Sequence, residues 1–133
     1  AYTPKKGDIV VISRNADNSV EGVTTGQVPI IKRVIAVAGQ TVDIDFERGV
    51  VSVDGVELDE PYTRTPTNRM GDVKFPVYVP DGYVFVLGDN RNDSLDSRYM
   101  QIGDGGLVDI RYILGHAVLR VFPFSSFGRL DNK

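Results

Sequence analysis

Short apolar segments separated by turn residues run along most of the chain, and the spacing of their polar positions indicates β-strands. Residues 41–46 alternate strictly between polar and apolar side chains, which is the two-residue period of a half-buried strand. Asp54-Gly55 stands between the apolar segments 50–53 and 56–58, and this dipeptide is typical of a β-hairpin turn. The remaining predicted strands span residues 8–14, 29–37, 75–79, 83–87 and 113–123.

Helical periodicity is scarce, and only residues 108–113 have room for a turn or two of helix. The composition of residues 59–74 changes to Pro, Thr, Asn, Arg and Gly, so we expect an irregular, partly mobile excursion from the core there. The pattern therefore predicts an all-β fold of coiled antiparallel sheets or a partial barrel. We expect the 133 residues, 1–133, to form a single domain.

Composition argues against nucleic acid as a partner, against a membrane span in this chain and against cysteine chemistry. A net charge of −3 and a pI near 5.0 argue against nucleic acid, which a basic surface would bind. No apolar run approaches the ~18 residues that a membrane span requires. The sequence starts at Ala1 without Met or a signal-peptide pattern, and we interpret that start as a cut inside a longer protein. The absence of Cys excludes disulfides, thiolate nucleophiles and Cys-ligated zinc.

His116 is the only histidine, and it lies at the start of an apolar segment, far in sequence from any carboxylate. A Ser-His-Asp triad or a His-ligated metal would have to use this residue, and a structural or solvent-facing histidine fits the pattern better. We therefore expect neither a metal site nor a cofactor.

The predicted strand 29–37 carries two adjacent cations, Lys32 and Arg33, within an aliphatic run. Side chains alternate between the faces of a strand, so one of the two cations must lie among aliphatic neighbours. If it is Lys32, loss of hydration disfavours the ammonium form, which is how a lysine becomes a base near neutral pH. The alternative is an edge-strand lysine whose amine reaches water, and spacing alone favours it. The two faces are Ile30, Lys32, Val34 and Ala36, and Ile31, Arg33, Ile35 and Val37.

Residues 88–98 place three aspartates and two arginines within eleven positions, directly after the predicted strand 83–87. A calcium-binding EF-hand loop does not fit, because Arg91 would occupy a ligand position and Ser94 replaces the turn glycine. The mixed charges indicate a self-neutralising network of ion pairs and hydrogen bonds, with Ser94 and Ser97 as donors. An ordinary surface loop rich in Asp and Asn is the alternative.

Five segments resemble, in the same order, signature segments of the type I signal peptidases. Residues 32–42 are similar to the family's KRxxGxPGDxV segment, although Ala36, Ala38 and Gln40 stand in place of glycine, proline and an acidic residue. Residues 6–11, 54–62 and 119–127 resemble its RGDIVV, NGxxxxEPY and FRxxPFxxF segments. The longest match, to GDNRxxSxDSR, is Gly88-Asp89-Asn90-Arg91-Asn92-Asp93-Ser94-Leu95-Asp96-Ser97-Arg98, in which Asn92-Asp93 replaces the common Asp-Asn.

The resemblance implies a serine endopeptidase that removes signal peptides from exported preproteins with a Ser-Lys dyad. It assigns Lys32 and Ser94 to the catalytic centre, with Lys32 as the general base and Ser94 hydrogen-bonded to its amine. Asp96 and Arg98 would brace the loop as an ion pair. The other supporting residues would be Gly88, Asp89, Asn90, Arg91 and Ser97. Small residues of an Ala-x-Ala substrate, bound as an added strand, would contact Ile30, Ile31 and Val11.

The family's nucleophile lies in a Ser-Met-x-Pro segment upstream of residues 8–14, after a membrane anchor, and this sequence contains neither. We therefore expect a soluble fragment that supplies the lysine and is inactive alone. The parent protein would be held in the cytoplasmic membrane, with this domain on the extracytoplasmic face. The missing segment would uncover apolar side chains around Ile9, Val11, Ile30 and Val34, so we also expect self-association.

Two other functions remain compatible with the residues. A repressor-type self-cleaving protease also carries a lysine on a strand, but proteins of that type lack the signature at residues 88–98. A non-catalytic β-module that binds peptides through an exposed sheet edge fits a chain without its own nucleophile.

Overall fold

The computed structural model describes residues 2–13, 29–63 and 65–117 of the chain. Within these ranges it contains two antiparallel sheets, no α-helix and one 3₁₀ turn, at Ile110–Tyr112. No helix of the described residues is long and apolar enough to cross a membrane. The sheets are not closed into a barrel, and the predicted all-β class is confirmed. Residues 118–123 of the last predicted strand, and the segment 119–127, lie outside the described residues.

Nine strands make up the two sheets of the described residues. The first sheet contains β1 (Ile9–Ile12), β2 (Ile30–Val37), β7 (Tyr83–Leu87), β8 (Val108–Asp109) and β9 (Ile113–Ala117), in the order β8-β7-β2-β1-β9. The second contains β3 (Thr41–Asp45), β4 (Val50–Val53), β5 (Val56–Glu57) and β6 (Val77–Tyr78), in the order β5-β4-β3-β6. The predicted Asp54-Gly55 hairpin joins β4 to β5, with both turn residues at positive φ. Eight of the strands fall within predicted segments, whereas β8 lies in residues 108–113, where the sequence left room for a turn or two of helix.

Two apolar cores lie on opposite faces of the first sheet. The first core fills the space between the sheets and consists of Ile35, Ala36, Val42, Ile44, Val51, Val53, Val79, Phe85 and Leu87. The second core lies on the other face and consists of Val10, Ile12, Val34, Val84, Val86, Ile102 and Val108. Strands β2 and β7 contribute to both cores and therefore form the wall between them.

A β-bulge interrupts the alternation of side chains in β2. Val34 pairs with Val86 and Ala36 pairs with Phe85, so Ile35 is the extra residue on this strand. Val34 consequently faces the second core, whereas Ala36 faces the first. The sequence predicted that Ala36 shares the face of Lys32, and that prediction is wrong because the bulge reverses the faces after Val34.

The described residues of the segment 59–74 lie outside both sheets and are hydrogen-bonded to the turn after β3 and to the loop at residues 88–98. The backbone N–H of Thr67 donates to the carbonyl oxygen of Gly49, in the turn between β3 and β4, at 2.9 Å. Gly49 has a φ of +74°, and a Cβ atom there would overlap Pro66, so the segment packs directly on this turn. At its other end, the N–H of Val73 donates to the carbonyl oxygen of Arg98 at 3.0 Å. Both parts of the segment are therefore anchored to the rest of the fold, and its partial mobility stays a prediction.

The apolar surface around β1 differs from the prediction at one position. Val34 is completely buried in the second core, so it was wrongly included among the uncovered side chains. Ile9, Val11 and Ile30 are half-buried, and Ile31 is instead well exposed, at 64%. Strand β1 is paired on both sides, by β2 and β9, and offers no open edge. Self-association through this surface stays a prediction.

Candidate active site

The hydroxyl of Ser94 lies against the amine of Lys32. Strand β7 runs antiparallel beside β2 and pairs Leu87 with Arg33, so the loop that follows β7 begins next to Lys32. This loop turns back until Lys32 Nζ donates a hydrogen bond of 2.9 Å to Ser94 Oγ. The predicted contact between the two signature segments is therefore present. Both side chains are half-buried.

Gly88, the first residue of the loop, lies between these two side chains. A Cβ atom on residue 88 would overlap the Ser94 hydroxyl and would stand 3.3 Å from Lys32 Nζ. The hydroxyl can occupy its position only because residue 88 has no side chain. The N–H of Gly88 donates to Asp96 Oδ2 at 3.0 Å, which fixes the backbone at this point.

The variant Gly88→Ala is expected to push Ser94 away from Lys32 and to lower the free energy of unfolding by about 1–3 kcal/mol, the usual cost of overpacking. Urea denaturation followed by circular dichroism measures this loss. Gly115→Ala on β9 is the matched control, because a Cβ atom there meets nothing within 4 Å and the φ of Gly115 is not positive. Equal stability of Gly88→Ala and the parent would contradict the close approach.

Asp96 and Arg98 form an ion pair in which neither side chain is exposed to solvent. Arg98 donates two parallel hydrogen bonds to the Asp96 carboxylate, each 2.9 Å long. Its Nη1 atom donates to the carbonyl oxygens of Arg69 and Arg91, at 2.9 and 3.0 Å. The predicted pair is confirmed. Through these hydrogen bonds, the pair joins the end of the loop to Arg91 near its beginning and to Arg69 in the 59–74 segment.

Arg33, the neighbour of Lys32 in β2, holds the start of the same loop. Its guanidinium donates to both carboxylate oxygens of Asp89, at 2.9 and 2.8 Å, and to the carbonyl oxygen of Gly7 at 3.0 Å. The ring of Tyr62 covers the guanidinium, with 3.9 Å between Arg33 Cζ and the ring centroid. The sequence indicated Asp89 as a supporting residue but did not indicate Arg33 or Tyr62 as its neighbours.

Arg91 is fully buried and ties the loop to the 59–74 segment. It donates to both carboxylate oxygens of Glu60, at 2.9 and 2.7 Å, and to the hydroxyl of Thr67 at 2.8 Å. Its Nε donates to the carbonyl oxygen of Gly88 at 2.8 Å. Burial lowers the pKa of Arg91, but hydrogen bonds from Arg91 to Glu60 and the Glu60 charge outweigh burial and raise that pKa above its ordinary value. Glu60 thus supports the loop, a role that the resemblance at residues 54–62 did not assign to it.

The predicted substrate residues divide between the two faces of the first sheet. Ile30 shares the face of Lys32 and packs on the second core, whereas Ile31 pairs with Val11 on the opposite face. Strand β7 pairs with β2 only from Arg33 to Val37, so Ile30 and Ile31 lie beyond its end. Among the described residues, no other strand pairs with this part of β2 on the side of β7.

Ser97 and Asn90 occupy different places in the loop. The Ser97 hydroxyl is buried and accepts the backbone N–H of Val86 at 2.9 Å, which holds the loop on β7. Asn90 is exposed, and its carbonyl oxygen accepts the N–H of Asp93 in a turn. Among the described residues, no three His, Cys, Asp or Glu side chains are grouped as a metal site would require.

His116 lies on β9, with its ring stacked on Tyr2 at a centroid distance of 3.8 Å. This packing fits the structural role that the sequence favoured for the histidine.

The arrangement around Lys32 is suited to proton transfer. An amine held in place by a hydrogen-bonded hydroxyl can, when neutral, accept a proton from a nucleophile and return it to a leaving group.

Comparisons by sequence and by fold both match this chain to signal peptidases. The family model described as signal peptidase, peptidase S26, matches residues 1–122. The chain is 42% identical to "Probable signal peptidase I-1" of Synechocystis sp., covering 98% of this chain and 61% of that protein. It is 33% identical to "Signal peptidase I" of Bacillus licheniformis, covering 96% of this chain and 64% of that protein. The chain thus spans less than two thirds of these relatives.

A crystal structure of a signal peptidase I from Enterococcus faecalis V583 has the same fold. It matches with a TM-score of 0.63 at 24% identity, covering 88% of this chain and 98% of that one. The family match includes β2 with Lys32 and the whole loop at residues 88–98. On these grounds, the chain belongs to the signal peptidase family, peptidase S26.

Proposed function

We propose that this chain supplies the general base of a type I signal peptidase, a serine endopeptidase that removes signal peptides from exported preproteins. The observation that carries the proposal is the 2.9 Å hydrogen bond from Lys32 Nζ to Ser94 Oγ, in a chain of this family. It gives the amine a fixed direction at the end of β2. The nucleophile is the serine of a Ser-Met-x-Pro segment, which we expect upstream of β1.

In the proposed mechanism, the neutral amine of Lys32 takes the proton of the attacking serine as the serine oxygen bonds to the scissile carbonyl carbon. The ammonium then gives this proton to the leaving amine as the peptide bond breaks. Water attacks the acyl-enzyme with Lys32 again as the base, which frees the serine. Ser94 is a positioning residue, because its oxygen accepts one N–H of the amine and directs the lone pair elsewhere.

The substrate lies in the proposed complex as an added strand along Ile30 and Ile31. These two side chains point to opposite faces, so alternate residues of an extended peptide meet different isoleucines. Val11 stands beside Ile31 on the neighbouring strand. Aliphatic walls of this kind disfavour charged side chains, which supports a substrate with small residues of the Ala-x-Ala type.

The full-length peptidase is expected to cleave a preprotein-like peptide directly after Ala-x-Ala and to leave a Leu-x-Leu version intact. Mass spectrometry of the products locates the cut. The 133-residue chain alone, which contains no Ser-Met-x-Pro segment, is expected to be inactive and serves as the control. Cleavage by that chain would mean that one of its own serines is the nucleophile. Binding of the peptide without cleavage, by both proteins, would favour the peptide-binding β-module instead.

The proposed site of action is the cytoplasmic membrane, with this domain held on the extracytoplasmic face by an N-terminal anchor. Signal peptides present their cleavage sites on that face after export, so the catalytic amine must be there. Protease treatment of intact spheroplasts is expected to degrade the domain, whereas protection until lysis would contradict this orientation.

A further inference from the structure

Tyr62 is in contact with the strand that carries the catalytic lysine. Its ring lies on the guanidinium of Arg33, which follows Lys32 in β2, at 3.9 Å from centroid to Cζ. On its other side, the same guanidinium binds both carboxylate oxygens of Asp89. Tyr62 therefore helps to fix β2 against the first residues of the loop, one position beyond the lysine.

Tyr62 also reaches the loop by a second route. Its hydroxyl donates to Glu60 Oε2 at 2.7 Å, and Glu60 receives two hydrogen bonds from the buried guanidinium of Arg91. Arg91 in turn donates to the carbonyl oxygen of Gly88. The route runs from Tyr62 through the side chains of Glu60 and Arg91 to Gly88. A Cβ atom on residue 88 would overlap the Ser94 hydroxyl.

The two routes meet at the contact between Lys32 and Ser94. One holds β2 through Arg33, and the other holds Gly88, whose missing side chain leaves space for the Ser94 hydroxyl. A shift at either end changes the distance between amine and hydroxyl, which is 2.9 Å when both are in place. Tyr62 is the residue on which both routes begin.

The charges in the cluster of Tyr62, Arg33, Asp89, Glu60 and Arg91 balance one another. Burial, and then the hydrogen bond to Glu60, raise the pKa of the Tyr62 hydroxyl above its ordinary value, so it remains a donor through neutral and mildly alkaline pH. Each guanidinium near the ring has its own carboxylate, Asp89 for Arg33 and Glu60 for Arg91. The cluster thus holds its geometry without adding net charge beside the lysine.

We propose that Tyr62 is a positioning residue for the peptidase reaction, which sets the contact between Lys32 and Ser94 through Arg33 and through Glu60 and Arg91. The proposal rests on the proposed function, because it assigns Tyr62 a part in the same reaction. Tyr62 acts through Arg33, Glu60 and Arg91, and its effect is on how well the amine and the hydroxyl are held.

In the full-length peptidase, Tyr62→Leu is expected to lower kcat about tenfold and to change KM less than about twofold, because it misplaces reacting groups and leaves the substrate strand intact. In a Ser94→Ala background, the same change is expected to lower kcat less than about twofold, because the contact that Tyr62 supports is already absent. Tyr62→Phe keeps the ring on Arg33 and is expected to retain kcat within about threefold.

Equal losses of kcat in the two backgrounds, or a loss confined to KM, would overturn the proposal. If thermal melting shows that Tyr62→Leu is unfolded, Tyr62→Phe is compared in both backgrounds, with the same requirement of non-additivity. Tyr78→Leu, the same change at an exposed tyrosine on β6, is the matched control and is expected to leave kcat unchanged. Activity that survives Lys32→Met would refute the proposed function, whereas additive losses in a Lys32-dependent enzyme would refute the role of Tyr62 alone.

Discussion

Replacing Lys32 by methionine in the full-length peptidase is expected to lower kcat by about 10⁴-fold, the order of loss when one member of a serine-protease catalytic unit is removed. Methionine keeps an unbranched apolar stem of similar length and removes only the amine, so the packing of β2 is preserved. In the proposed mechanism, the serine then has no group to take its proton. Turnover of a preprotein-like peptide, followed by chromatography, measures the effect.

A second variant, Lys32→Arg, keeps the positive charge of the side chain but removes its capacity to act as a base. The guanidinium of Lys32→Arg stays protonated at any assay pH and cannot accept a proton, so this variant is expected to be as inactive as Lys32→Met. Lys74→Met, at an exposed lysine, is the control and is expected to keep full activity. Activity above about one tenth of the parent in Lys32→Arg would show that positive charge, not proton transfer, is what the reaction requires.

Arg98→Met is expected to lower the free energy of unfolding by about 3–5 kcal/mol, because it leaves the carboxylate of Asp96 buried without its partner. For a domain of this size, the melting temperature should fall by more than about 10 °C. The carbonyl oxygens of Arg69 and Arg91 lose a donor at the same time. Differential scanning calorimetry of the 133-residue chain measures the change directly.

The pair between Arg48 and Glu57 provides a control within the same chain. It also has two-point geometry, with hydrogen bonds of 2.8 and 3.3 Å, but its side chains are 57% and 55% exposed. Arg48→Met is therefore expected to lower the melting temperature far less than Arg98→Met does. A comparable fall in melting temperature for Arg98→Met and Arg48→Met would show that burial of the first pair contributes nothing to stability.

The sequence predicted the parts of the fold that depend on local pattern. The alternation at residues 41–46 and the Asp54-Gly55 turn identified β3 and the β4-β5 hairpin, because strand period and turn conformation are properties of neighbouring residues. The mixed charges at 88–98 likewise indicated an ion-pair network, and Asp96 and Arg98 are only two positions apart. The roles assigned to Lys32 and Ser94 came from the family resemblance and stay predictions.

Features that depend on distant partners were missed. Glu60 is 31 residues from Arg91, and Arg33 is 56 from Asp89, so neither pair leaves a local pattern. The composition of residues 59–74 predicted an irregular excursion but not its anchors, because Pro, Thr and Asn are typical of loops whether or not a buried arginine holds them. The bulge at Ile35 was missed because an extra residue in a uniformly aliphatic run has no signal of its own.

The separation of Lys32 from Ser94 has a consequence for how the chain folds. The two residues are 62 positions apart, whereas β3, β4 and β5 of the second sheet are joined by short turns. Closing a long loop lowers chain entropy before any stabilising contact forms. Local hairpins therefore form faster than distant strand pairs. We therefore expect the contact between the Lys32 amine and the Ser94 hydroxyl to form late in folding, after the local hairpins of the second sheet.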